Sequence, residues 1–184
     1  MKFKFHRTIN CLMMKTNKRY RPQFLWGFLL VHVLSVSCSE FSKKERRSLT
    51  VVFYNVENLF DLENQPLKKD DEFTPSGEKR WDAGRYNKKL NDLSRVLSSV
   101  SENDLPEIIG LCEIENKKVL KDLIQTGKLN TVNYTIIHHE SPDYRGVDCA
   151  LIYRPSEFRV INHYPVRVQL ENKPGYQTRD ILYV

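Results

Sequence analysis

The chain has 184 residues, room for one domain of ordinary size and hardly two. With 40% hydrophobic and 28% charged residues it is neither a disordered tail nor a polytopic membrane protein. The net charge of +6 is unevenly spread: residues 1–47 hold 11 of the 29 Lys/Arg and 2 of the 23 Asp/Glu, while residues 48–184 carry 18 basic against 21 acidic residues. That balance excludes a non-specific nucleic-acid grip from overall charge and leaves a local basic patch open.

Lys15, Lys18, Arg19 and Arg21 precede an apolar run of 13 residues, Phe24–Val36, followed by small residues and Cys38. A charged lead, a short apolar stretch and a small-residue exit describe an export signal. The run is short of the roughly 20 residues a transmembrane helix needs. Leu34-Ser35-Val36-Ser37-Cys38 resembles a bacterial lipoprotein signal, in which the cysteine is lipidated after cleavage, although Ser35 stands where a large aliphatic residue is usual. Lipidation at Cys38, ordinary signal cleavage and an uncleaved anchor or cytosolic start remain alternatives. Residues 1–38 are thus expected to be an export signal and residues 39–47 a polar tether, with the product in the cell envelope.

Leu49–Tyr54 (LTVVFY) reads as a short buried strand. Asn55 to Gly84 is a long polar loop with turn signals at Asn64–Pro66 and Thr74–Gly77, and loops of that length are usually functional. Tyr86, Leu90, Leu93, Leu97 and Val100 step by four and three, which places them on one face of a helix. Glu107–Cys112 (EIIGLC) reads as a second buried strand, Lys117–Gln125 as a helix ended near Gly127, and Tyr134–His138 as a third strand. Asp148–Tyr153 and Phe158–Val168 are expected to form a hairpin around Arg154–Glu157, and Asp180–Val184 begins a further strand. Of the four cysteines, Cys112 and Cys149 lie in apolar runs, where two inert buried thiols are the default and a bridge between them is an alternative.

Two polar clusters sit where strands run out: Asn55-Val56-Glu57-Asn58 and Glu113-Ile114-Glu115-Asn116. The carboxyl ends of strands in α/β sheets are where ligands bind, and Mg²⁺ takes one or two carboxylates while keeping several waters. Each cluster alone has a plainer reading as turn or helix-capping residues.

Val51–Asp61 (VVFYNVENLFD) and Ile109–Glu113 (IGLCE) resemble the first two motifs of the endonuclease/exonuclease/phosphatase family, with Asn55 on the strand-ending asparagine and Glu113 on the metal-binding glutamate. Glu57 falls where members often carry an acidic residue near the metal. Asp71–Tyr86 is similar to the long first loop of an exported bacterial branch, Arg145–Arg154 to the central strand pair, and Thr178-Arg179-Asp180 to a segment that brings an arginine near substrate phosphate. The resemblance covers about Leu49 to Val184. It implies a four-layer α/β sandwich, with this chain supplying roughly its first half. It also implies Mg²⁺-dependent hydrolysis of phosphate esters, with Mn²⁺ or Ca²⁺ as other ions. Glu113 and Glu57 would hold metal, Asn55 would orient a water or a downstream aspartate, and Arg179 and Arg145 would bind phosphate. The family's later Gly-Asp-Phe-Asn-like and Asp-His motifs do not occur in the chain, and none of its five histidines follows an aspartate. His138-His139 is expected to be a strand end rather than a substitute.

The expected function is a nuclease or phosphodiesterase in the parent protein. The alternatives are a phosphatase or phospholipase acting on small or lipid phosphates, and a non-catalytic remnant or lipid-anchored binding module. The partners implied are a phosphate-ester substrate, nucleic acid among them, and a membrane reached through a lipid anchor, with no protein partner.

Overall fold

The structure, a computed structural model, describes residues 48–101 and 104–184. The proposed signal, the tether and Cys38 lie outside the described residues. Six strands and two α-helices follow in the order β1 (Val51–Leu59), α1 (Ala83–Ser98), β2 (Ile108–Ile114), α2 (Lys117–Ile124), β3 (Thr135–His138), β4 (Asp148–Tyr153), β5 (Tyr164–Val166) and β6 (Ile181–Tyr183). The first four strands form a mixed sheet in the order β1-β2-β4-β3, and β5 and β6 form a two-stranded sheet. β1 and β2 are parallel and α1 connects them, while β4 runs antiparallel to both β2 and β3.

The core forms where both helices lay their apolar stripes on one face of this sheet. Tyr86, Leu90, Leu93 and Leu97 of α1 and Val119, Leu120 and Leu123 of α2 pack with Val52, Val56, Ile109, Leu111, Ala150 and Ile152. Val100 packs against this cluster only partly buried. Strand alternation puts the next residues on the opposite face, which is why β1 is not the fully buried strand its composition suggests. Val51 and Phe53 are exposed there, and the Phe53 ring lies over Gly110, where a Cβ would come within 3.0 Å of it. Among the described residues no helix is long and apolar enough to cross a membrane.

Both helices begin where side chains satisfy their first free N–H groups. Asp82 accepts from Arg85 N (2.9 Å), so α1 starts before the first residue of its apolar stripe. Asn116 accepts from Lys118 N (2.8 Å) and Val119 N (3.1 Å), which makes it the cap of α2. Its amide also donates to Asp61 Oδ2 (3.2 Å), tying the helix to the long loop. Asn116→Ala is expected to cost about 1–2 kcal/mol, read as a lower urea midpoint at unchanged m-value.

The long loop has its own small core. Phe60 and Phe73 stack at 4.3 Å, Trp81 meets Phe73 edge-on at 6.1 Å, and Trp81 Nε1 donates to Phe60 O (3.0 Å). Asp61 and Asp70 are buried beneath it.

The expected hairpin between Asp148–Tyr153 and Phe158–Val168 does not form. Arg154–Glu157 does turn the chain, with Glu157 N and Phe158 N both donating to Arg154 O (3.1 Å each). But β2 and β3 already occupy both edges of β4, so the chain leaves the sheet, and β5 pairs instead with β6 in the register Tyr164↔Tyr183. The Tyr164 and Tyr183 rings stack at 4.6 Å.

Candidate metal and phosphate site

Two irregularities at neighbouring strand ends make the site. β1 and β2 pair in register from Val51↔Ile108 to Asn55↔Cys112, then slip so that Leu59 meets Ile114. On the other side of β2 the register with β4 slips between Cys112 and Ile114. At these slips Glu57, Asn58 and Glu113 take φ of 54°, 63° and 67°, left-handed values that are costly for residues with a side chain. Bulges bend a strand and re-aim its side chains, and here two adjacent ones do so at the same sheet edge.

The bulged residues are held by their own neighbours. Asn55 Oδ1 accepts from Glu57 N (2.8 Å), closing a local turn around the β1 bulge. The same amide donates through Nδ2 to Glu113 Oε1 (3.0 Å), joining the two polar clusters. Arg179, just before β6, brings NH1 to 3.6 Å from Glu113 Oε1. That is an ion pair too long for a hydrogen bond, so the guanidinium fork is not spent on it.

The Glu113 side chain is 18% exposed, and among the described residues no hydrogen bond reaches its Oε2. A fixed, half-sheltered carboxylate with one oxygen open is a donor suited to a hard cation that keeps most of its waters. Glu57 is the second available carboxylate. The residues present therefore fit a Mg²⁺-type ion.

Lys89, which the helical periodicity placed off the apolar face of α1, belongs to this site. Its ammonium donates to Glu57 O (2.5 Å) and Asn58 O (3.1 Å) and lies 5.7 Å from the Trp81 ring centroid. Burial lowers its pKa, and the charges of Glu57 and Glu113 oppose that shift. It pins the carbonyls of the two left-handed residues of β1. No spacing rule on the helix could have found it, because its partners are backbone atoms of a bulge.

Arg145 is committed differently. Its Nε and NH2 grip the two oxygens of buried Asp143 at 3.0 and 2.6 Å, and these bonds hold its pKa up. Glu113 adds to that effect, so the arginine lies within electrostatic reach of the site. The structure thus brings Asn55, Glu113 and Arg179 into direct contact, with Glu57 and Arg145 beside them.

A groove of about 350 Å³ lies along α1 beside Asn55 and Glu57, lined also by Tyr54, Trp81, Arg85, Lys88, Lys89 and Asp92. A second group with metal-ligand chemistry lies at the neighbouring ends of β4 and β3, with Asp148 opposite Ile114 of β2. His138, Glu140 and Asp148 place one ligand atom each within 4.8 Å of one another, and His138 Nε2 is 3.1 Å from Asp148 Oδ2. His138 sits at the end of β3, as the sequence suggests for a strand end. His139 Nε2 meets His163 Nδ1 at 2.9 Å, on exposed side chains.

Asn55 and Glu113 are thus joined at adjacent strand ends of a mixed α/β unit. The chain belongs to the endonuclease/exonuclease/phosphatase family, whose family model matches residues 50–184. Neither the curated proteins nor the solved structures contain a match. Membership brings the family's general activity, metal-assisted hydrolysis of phosphoric esters.

Proposed function

We propose that this chain carries the metal-holding and phosphate-facing half of a nuclease or phosphodiesterase site. The observation that supports it most is the Asn55–Glu113–Arg179 contact at two adjacent bulges. Glu113 Oε2 and the Glu57 carboxylate would hold Mg²⁺. When bound, such an ion neutralises charge that develops on phosphoryl oxygens. Asn55 fixes the rotamer of Glu113, and Lys89 fixes the backbone that presents Glu57. Arg179 turns its fork to a phosphate oxygen, a charge-assisted contact. Arg145 is held by Asp143, so the phosphate contact is assigned to Arg179.

The groove along α1 favours a diester on a polyanion over a small monoester. It sets Arg85 and Lys89 beside the Tyr54 and Trp81 rings, while Lys88 is paired with Asp92 (2.5 Å) on the same wall. Aromatic rings beside basic side chains suit the stacked bases and phosphates of a single nucleic-acid strand. Four-layer architecture is part of the same proposal: the exposed Val51 and Phe53 face of β1 fits the inner side of a two-sheet sandwich. Water activation is assigned to the later family motifs, in a protein that carries them along with this chain.

The test is a comparison of single-stranded DNA, bis-p-nitrophenyl phosphate, p-nitrophenyl phosphate and sphingomyelin in Mg²⁺, using such a protein. Single-stranded DNA and bis-p-nitrophenyl phosphate are expected to be cleaved, with sphingomyelin and the monoester spared; cleavage of sphingomyelin without DNA overturns the nuclease reading in favour of a phospholipase. Arg179→Ala is expected to lower kcat/KM by about 10–100-fold. Cleavage of the monoester alone overturns the nuclease reading in favour of a phosphatase.

We also propose that the protein is exported to the cell envelope, on the charged lead, apolar run and cysteine of residues 15–38. Cys38→Ala is expected to release the protein from the membrane fraction and change its apparent mass. Unchanged fractionation together with unchanged apparent mass overturns lipidation.

A further inference from the structure

Cys112 on β2 and Cys149 on β4 are directly opposed across an antiparallel pair, and both are free thiols of intermediate exposure. Their pair type follows from the ladder. Arg154 N donates to Glu107 O (3.0 Å), which marks residues 107 and 154 as a hydrogen-bonded pair. The register is unbroken from there to Cys112↔Cys149, and bonded and unbonded pairs alternate along it. Cys112 and Cys149 therefore form an unbonded pair, the type whose Cα atoms approach to about 4.5 Å with side chains closest. That separation lies inside the range of about 4.4–6.8 Å that a disulfide spans.

The place of this pair in the site gives it a consequence. Cys112 is also the β1 partner of Asn55, and the residue after it is Glu113, where the β2–β4 register breaks. A covalent bond at this rung would tie β4 to β2 at the last regular position before the bulge.

We propose that Cys112 and Cys149 are an oxidation site that closes to a cross-strand disulfide and holds the Glu113 bulge in place. The step needs a disulfide oxidant, a small-molecule disulfide such as oxidised glutathione. The sulfur of one cysteine attacks it, one thiol leaves, and a mixed disulfide forms. The second cysteine sulfur then attacks the first and releases the other thiol. Two S–H bonds are lost and one S–S bond is gained, while the oxidant's disulfide is reduced to two thiols. The link to function rests on Glu113 being the metal-holding residue; formation of the bond does not.

The full chain is equilibrated in glutathione redox buffers, alkylated and mapped without reduction, which separates this pair from Cys11 and Cys38. The expected result is a linked peptide pair containing Cys112 and Cys149, lighter by about 2 Da than its reduced parts. Amide exchange across residues 111–116 is expected to slow by about tenfold on oxidation. Both effects should vanish in Cys149→Ser and in Cys112→Ser. Separate alkylation of the two cysteines, or persistent glutathione adducts on them, overturns the proposal. A linked peptide with unchanged exchange overturns its hold on the bulge. Neither result depends on turnover, so failure of the hydrolase reading is seen separately.

Discussion

Glu113→Gln lowers Mg²⁺-dependent turnover by about 10²-fold or more, measured in a protein that carries this site together with the family's later motifs. Glutamine keeps the shape of the side chain and an oxygen that can still accept from Asn55 Nδ2. The substitution therefore removes the charge at Oε2 with little change in packing, and the unfolding midpoint should barely move. Two further readings separate metal affinity from other causes. Excess Mg²⁺ should restore part of the rate, because the loss is in holding the ion. Arg179 loses its ion-pair partner at 3.6 Å, so the fall should sit in kcat rather than in substrate binding. Full activity of the wild type in EDTA would remove the metal from the account altogether.

A second large effect concerns stability and pH. Glu115, two residues on, is buried with 1% exposure, and burial pushes its pKa up to about 8. The charges of Asp61 and Asp70 push in the same direction, while the hydrogen bond from Asp61 N and the charge of Lys118 push back. Its Oε2 accepts that bond at 2.6 Å, and its Oε1 has no partner among the described residues, which is where a proton would sit. In the unfolded chain the group ionises near the ordinary value of 4.5. Between those two values the folded state binds a proton that the unfolded state has released. Stability from this group is thus complete below about pH 4.5 and is lost as pH rises toward about 8. With allowance for solvent screening the loss is about 2–4 kcal/mol. Denaturant titrations in EDTA at a series of pH values should show that fall, and Glu115→Gln should flatten it. A profile that is flat in the wild type, or equally steep in the variant, would show that Glu115 is ionised in the fold.

The elements with strong periodicity were legible from the residues. Tyr86, Leu90, Leu93 and Leu97 do face the core from α1, and β2, α2, β3 and β4 lie within a residue or two of their expected bounds. Asn116 follows the plainer reading of its cluster, since it caps α2. What stayed hidden was set by pairing rather than by composition. The bulges at Glu57, Asn58 and Glu113 carry left-handed backbone without a glycine to mark them. β4 could not be known to have both edges filled, so a sound turn at Arg154–Glu157 suggested a hairpin that the sheet forbids. Arg145 was legible as a cation, but its grip on Asp143 at two residues' separation was not. Lys89 was hidden because its partners are carbonyls of β1, and the direct opposition of Cys112 and Cys149 follows only from strand register.

The most direct measurement is Mn²⁺ binding to this chain, followed by the loss of the free-ion electron paramagnetic resonance signal. Mn²⁺ stands in for Mg²⁺ at oxygen sites and is counted without any need for turnover. The account predicts a site that Mg²⁺ competes for, that Glu113→Gln abolishes and that His138→Ala leaves intact. Binding that survives Glu113→Gln and disappears with His138→Ala would place the metal at the His138–Glu140–Asp148 group, on the neighbouring strands, and contradict it.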